Sequence, residues 1–194
     1  TRVIQEKEIE ARVIDVGCMG HCYAEPLAII SKPGFPALCY GYLDDELAAR
    51  LVEDFLMHDD PCYEFALVAL ETNDVFPTFS DFPRGVYEKK IVLEHCGFID
   101  PEDIDHYIAR GGYGSLAEML AEEPAKVLEM VKESHLRGRG GAGFPAGLKW
   151  EAALKTGGHE KYVICNADEG DPGAFMDRSI LESCPHQVIE GMLL

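Results

Sequence analysis

Leu136-Arg-Gly-Arg-Gly-Gly-Ala-Gly-Phe-Pro-Ala-Gly-Leu-Lys-Trp150, followed by Lys161-Tyr-Val-Ile-Cys-Asn-Ala-Asp-Glu-Gly-Asp-Pro-Gly173, is the part of the chain on which its fold turns. Gly138, Gly140 and Gly143 satisfy the G-x-G-x-x-G spacing. In the usual dinucleotide fold that loop follows a strand and opens a helix. Here the preceding segment, from Pro124 through Val127, Leu128 and Val131 to His135, reads as a helix, so the ordinary Rossmann context is missing. A Walker loop is also excluded, because Gly143 to Lys149 has the wrong spacing and no Ser or Thr follows the lysine to hold magnesium. What survives is the physics common to both motifs. Glycines let backbone N–H groups approach an anion, and the helix expected from Leu148 to about Lys155 aims its positive end at it. Arg137, Arg139 and Lys149 reverse the local charge of an acidic chain, as a bound phosphate requires. Phe144 adds a face on which a flat ring can stack. The bland alternative is a surface loop with incidental basic residues.

The second stretch reads as a strand, Lys161 to Cys165, emptying into Asn166, Asp168, Glu169 and Asp171. Open α/β sheets place ligands at the carboxyl ends of their strands. Carboxylates repel phosphate but suit the hydroxyls of a ribityl or ribose, and Asn166 can donate and accept toward a heterocycle edge. Loop and acidic turn are expected to enclose one pocket. The alternative is a solvated acidic turn ending in Pro172-Gly173.

Further out, Pro101 to Ile104 starts a helix that Gly111-Gly112 ends, Ser115 with Glu118 makes a capping box, and a last helix starts near Pro185. The order helix, glycine loop, helix, strand predicts the opening part of an α/β domain. The first part reads strand, strand, strand, helix: Ala11–Val16, Leu27–Ser31 and Ala37–Leu43, then a helix capped by Asp44 with Leu47, Leu51, Val52, Phe55 and Leu56 on one face through Met57. The irregular stretch between, with a boundary near residue 75, serves as connector. The seven histidines, His21, His58, His95, His106, His135, His159 and His186, have no motif spacing with acids or serines, so no catalytic side chain is assigned.

Composition bounds the function. A net charge of −18, from 17 Lys+Arg against 35 Asp+Glu, argues against wrapping nucleic acid or lying on an anionic membrane. The longest apolar run, Phe65 to Leu70, is too short to span a bilayer, and Thr1 to Glu10 lacks the apolar core of a signal peptide. Seven cysteines, an odd number, fit a reducing compartment, so the expected location is the cytoplasm. The lack of an initial Met and a close inside an amphipathic run read as a fragment.

The two quoted stretches together resemble the flavin-bearing, NADH-oxidising subunit of respiratory complex I and its relatives in NAD(P)-linked hydrogenases and formate dehydrogenases. The resemblance runs from about Arg84 to Leu194, through Asp177-Arg178 and Pro185-His186. It implies FMN held by the loop and the acidic turn, with NAD(H) stacked on the flavin. Carried over by position, Gly138, Arg139, Gly140, Lys149, Asn166, Asp168, Glu169 and Gly170 would contact FMN, and Phe144 and Asp171 would contact NADH. Gly170 and Asp171 stand where complex I subunits usually have Ser and Glu, which looks more like the hydrogenase and formate dehydrogenase branch. The resemblance also implies a 4Fe-4S cluster whose ligands lie beyond these residues, and partners that are iron–sulfur and catalytic subunits of a multi-subunit redox complex.

Near the start, Gly17-Cys18-Met-Gly-His-Cys22, with Tyr-Ala-Glu-Pro26 after it, resembles the second half of a thioredoxin-like 2Fe-2S ferredoxin domain. Such a cluster takes four thiolates, and this segment supplies Cys18 and Cys22. A redox disulfide or a zinc pair is the rival, although the spacing is not C-x-x-C. Cys39, Cys62, Cys96, Cys165 and Cys184 read as structural thiols. The expected fold is therefore α/β: a partial thioredoxin-like domain over 1–72, a connector over 73–83 and the opening of a complex I-type FMN-binding domain over 84–194. The expected function is hydride transfer between NAD(P)H and FMN. The rivals are a non-catalytic assembly module that keeps the motifs, and a ferredoxin-like carrier built on Cys18 and Cys22.

Overall fold

The computed structural model describes residues 2–81, 87–158 and 160–194. The end of the expected connector, Arg84 at the start of the flavin-domain resemblance, and His159 lie outside the described residues. The chain divides into two compact units, Thr1–Phe98 and Ile99–Leu194, and it mixes helices with one small sheet, in keeping with the α/β reading.

In the first unit a short helix, α1 (Arg2–Glu6), precedes a three-stranded antiparallel sheet in the order β1 (Ala28–Ile30), β2 (Leu38–Tyr40), β3 (Ala66–Ala69). The turn at Lys32-Pro-Gly-Phe35 closes with Phe35 N–H donating to the Lys32 carbonyl, which sets Ile29 opposite Cys39. The expected first strand, Ala11–Val16, does not form. Its Val13 and Val16 are exposed, and no strand among the described residues lies alongside to pair with them. The third strand comes instead from Phe65–Leu70, whose unbroken apolar run suits a strand covered on both faces.

Helix α2 (Asp45–Leu51) follows β2 as expected, because Asp44 accepts from Leu47 N–H at 2.8 Å and two acids sit in the first turn. It widens into a π-helical stretch, Val52–Met57. Leu51 and Phe55 meet Leu38, Tyr40, Cys62 and Ala69 in the main core, where Phe35 packs edge-on to Phe55 at 5.3 Å. The buried Tyr40 hydroxyl donates to the Pro61 carbonyl, so its polar end is satisfied inside that core.

The second unit is helical: α3 (Ile104–Ala109), α4 (Gly114–Met119), α5 (Pro124–Glu133), α6 (Ala146–Lys155), α7 (Met176–Ser183) and α8 (Pro185–Leu193). Helices α5 and α6 approach so closely that a Cβ on Gly147 would come 2.9 Å from the Lys132 Cα. The expected capping box at Ser115 is replaced. Glu190 on α8 accepts from Tyr113 N–H at 3.0 Å and Leu116 N–H at 3.2 Å at the amide end of α4, and from the Tyr107 hydroxyl. Ile99, Tyr107 and Cys184 bury beside this network.

The expected strand over Lys161–Cys165 is likewise absent. Lys161 Nζ donates to the Ala153 and Leu154 carbonyls at 2.7 and 2.9 Å, fastening the run to the carbonyl end of α6. Tyr162, Val163 and Ile164 then stand exposed, because no described strand is beside them to complete a ladder. No helix among the described residues is long and apolar enough to cross a membrane.

Candidate functional site

The glycine loop is a tied lasso. Gly138 N–H donates to the Phe144 carbonyl at 2.9 Å and Ala146 N–H to the Leu136 carbonyl at 2.8 Å, with Arg137 bridged to Pro145. The chain leaves this closure straight into α6. Gly141 and Gly143 have φ of +101° and +63°, which favour glycine. A Cβ on Gly140 or Gly141 would meet nothing within 4 Å, so the backbone there is open to a ligand. Arg137, Arg139 and Lys149 are exposed around it and make no salt bridge among the described residues, leaving three cations for an anion. Phe144 is exposed on the same loop.

The acidic turn is organised by its own side chains. Asn166 Oδ1 accepts from Asp168 N–H at 3.0 Å, which leaves the amide NH2 to donate outward. Glu169 grips the amide end of α7, accepting from Asp177 N–H at 2.8 Å and Arg178 N–H at 3.1 Å. Gly170 follows in exposed backbone, and the Asp168 and Asp171 carboxylates stand exposed. No hydrogen bond, ion pair or ring contact joins the loop to the acidic turn among the described residues, so the two constellations are open surfaces rather than one enclosed pocket. Two cavities lie elsewhere: an apolar groove of about 490 Å³ between Leu116, Val127, Trp150 and Leu193, and one of about 510 Å³ beside Cys18 and Glu25. The fastening of Lys161 to α6, the α7 cap by Glu169 and helix α7 itself were not anticipated. For the cap, the acid eight residues ahead of Asp177 is the available signal.

In the first unit Cys18 Sγ and Cys22 Sγ lie 3.5 Å apart, and Cys18 Sγ is 3.3 Å from Glu25 Oε1. Burial pushes the Cys18 thiol up to about 11; the Gly20 N–H donating to Sγ opposes this, while Cys22 and Glu25 add to it. For a 2Fe-2S cluster these residues are half a ligand set. Cys39, Cys62 and Cys96 are buried, and Cys165 and Cys184 belong to the other unit. Only Cys18, Cys22 and Glu25 converge as metal-ligating atoms among the described residues, all within 4.8 Å of one another.

Comparison with known proteins meets the glycine loop and the acidic turn together. Residues 131–194 match the Nuo51 FMN-binding domain. That match takes in α6, α7 and α8 as well as both constellations. The chain is 57% identical over 105 residues, 54% of its length, to the NADP-reducing hydrogenase subunit HndC of Solidesulfovibrio fructosivorans, covering 21% of that protein. It is 50% identical over 103 residues, 53% of its length, to an NADH-quinone oxidoreductase subunit of Rhizobium meliloti, covering 24%. The NAD-reducing hydrogenase HoxS subunit alpha of Cupriavidus necator is 32% identical over 191 residues, 94% of the chain and 27% of the relative. The chain thus spans about a quarter or less of these relatives, and one of them parallels both units.

Proposed function

We propose that this chain is part of an NAD(P)H-oxidising flavoprotein subunit, in which its second unit holds FMN at the glycine loop. The observation that carries the reading is the tied loop with open glycine backbone and three uncommitted cations, lying within the segment that matches the Nuo51 FMN-binding domain. Bound there, FMN supplies the chemistry that accepts a hydride and releases electrons singly to iron–sulfur clusters. The chain's own residues bind and orient. Gly138 and Gly140 bring backbone close to the phosphate, and Arg139 and Lys149 neutralise it. Asn166, Asp168, Glu169 and Gly170 address the sugar-like and ring portions, Glu169 through backbone because its carboxylate is committed to α7. Phe144 offers a stacking face and Asp171 a polar contact for the nicotinamide nucleotide.

Residues 84–194 are then the opening of the flavin domain, and 1–72 the later half of a thioredoxin-like domain. Two hydrogenase subunits among the relatives favour that branch. Partners would be iron–sulfur and catalytic subunits, and the odd number of cysteines, seven, favours the cytoplasm.

The open, unconnected loop and acidic turn favour a second reading, a module that keeps the motifs without binding flavin. FMN fluorescence on titration with the folded chain separates the two. Quenching that weakens by about 1–3 kcal/mol in each of Arg139→Ala and Lys149→Ala supports the flavin site. Quenching absent with folding verified by circular dichroism, or unaffected by both substitutions, refutes it.

A further inference from the structure

Helix α6 links the glycine loop to the stretch that leads into the acidic turn. Its amide end leaves the closed loop, where Ala146 N–H donates to the Leu136 carbonyl. Its carbonyl end receives Lys161, whose Nζ donates to the Ala153 and Leu154 carbonyls at 2.7 and 2.9 Å. An ammonium is well placed there, because the last carbonyls of a helix lack intrahelical partners and lie at the negative end of its dipole.

What precedes and follows this clasp gives it a role. Between Lys155 and Lys161 the chain runs through Gly157-Gly158, where a Cβ on either residue would meet nothing within 4 Å, so that connection restrains little by itself. Without the clasp, eleven residues separate the end of α6 from Asn166; with it, five remain. Five residues reach at most about 17 Å, and a ten-residue helix such as α6 is about 15 Å long. A run that starts at the carbonyl end of α6 can therefore bring Asn166 level with the amide end, where the glycine loop lies. Beyond Asn166 the turn is held a second time, by Glu169 on the Asp177 and Arg178 N–H groups of α7. The two holds put opposite charges on opposite helix ends, Lys161 on carbonyls and Glu169 on amides.

We propose that Lys161 is a positioning residue for flavin binding: its ammonium fixes where the run carrying Asn166 and Asp168 begins, and so keeps the acidic turn within reach of a flavin whose phosphate sits in the glycine loop. This role rests on the flavin reading given above. When one ligand bridges two sites on a flexible chain, the effective concentration of the second falls roughly as the −3/2 power of the tether length. Lengthening the free tether from five residues to eleven therefore weakens the bridging ligand about threefold.

The test compares FMN with inorganic phosphate on the folded chain, FMN by fluorescence quenching and phosphate by its competition against FMN. Lys161→Met keeps the apolar stem at an exposed position and removes the ammonium. It should weaken FMN about threefold and leave the phosphate inhibition constant unchanged, because the glycine loop alone takes phosphate. Lys161→Arg, which can still donate to both carbonyls, should restore the parent FMN affinity. Damage to α6, or a direct contact between Lys161 and the phosphate, would weaken both ligands alike. Equal FMN affinity in parent and Lys161→Met, equal losses for FMN and phosphate, or no recovery in Lys161→Arg would each overturn the role of Lys161 and leave the flavin reading standing. No quenching in the parent chain would overturn the flavin reading, and the role of Lys161 with it.

Discussion

Leu38, Tyr40 and Phe55 in the first unit are fully enclosed, whereas in the second unit Phe144, Tyr162, Val163 and Ile164 are 55%, 78%, 68% and 82% exposed. Both units contain apolar runs of similar length. In the first, the run Ala66–Ala69 finds Leu38–Tyr40 beside it and helix α2 above, so its apolar surface leaves water. In the second, Tyr162–Cys165 has no described strand beside it, and the buried groups gather around a carboxylate instead. Enclosure in one unit comes from apolar packing and in the other from hydrogen bonds, while the residues assigned to ligand binding remain on open surface. The substitutions below probe that difference.

The largest effect belongs to the apolar core. Phe55→Ala should destabilise the first unit by about 3–5 kcal/mol, since the ring is wholly buried between Phe35 and the sheet and its cavity cannot collapse freely. Urea denaturation measures the loss, and amide hydrogen exchange should locate it in α2, β2 and β3. A cost below about 1 kcal/mol would mean that this core is no better packed than the second unit.

How much of this was legible in the sequence depends on how local the cause is. Helix α2 was readable because Asp44, the acids after it and the Leu47–Phe55 spacing all act within one segment. The glycine loop was readable for the same reason, since spacing and charge are written in consecutive residues. Strand β3 was missed because an apolar run covered on both faces shows no alternation to distinguish it from other buried structure. Ala11–Val16 and Lys161–Cys165 were over-read: β-branched composition states a preference that only a neighbouring strand can fulfil. The cap on α4 could not be seen at all, because Glu190 reaches Leu116 across 74 residues of sequence.

That cap gives the intermediate effect. Glu190 meets the Tyr107 hydroxyl and the Tyr113 and Leu116 N–H groups. Burial works against its charge, but the Tyr107 hydroxyl and the Tyr113 and Leu116 N–H groups outweigh it and hold its carboxyl below the usual glutamate range. Burial and then the same contact raise the Tyr107 phenol. A depressed folded-state pKa stabilises fully above the unfolded value of about 4.3, and that stabilisation is lost as pH falls through the lower folded value. Glu190→Gln should cost about 1.5–3 kcal/mol near neutrality and flatten the acid limb of the stability profile. Equal stability of parent and variant at neutral pH would show that packing of Ile99, Tyr107 and Cys184 holds this unit, as apolar packing holds the first.

The smallest effect is expected at the other carboxylate of the second unit that joins two helices. Glu151 on α6 takes Lys132 Nζ of α5 at 2.9 Å and Lys155 Nζ at 3.1 Å. Its hydrogen bonds to Lys132 and then Lys155 lower its pKa, and the bond to Glu151 raises that of Lys132. The direction matches Glu190, but the setting does not. The Lys132 and Glu151 side chains keep 27% and 28% exposure, water reaches both charges, and salt screens them. What brings α5 and α6 together is the missing side chain of Gly147 against the Lys132 backbone, which no charge substitution touches. Glu151→Gln should therefore shift the denaturation midpoint less than either substitution above, and the shift should fade in about 1 M salt, where the screening length is only about 3 Å. Glu190→Gln should keep most of its cost under the same salt, because a carboxylate enclosed by a phenol and two amides is hardly screened. If salt erased both effects alike, the Glu190 carboxylate would be as open to water and counterions as that of Glu151.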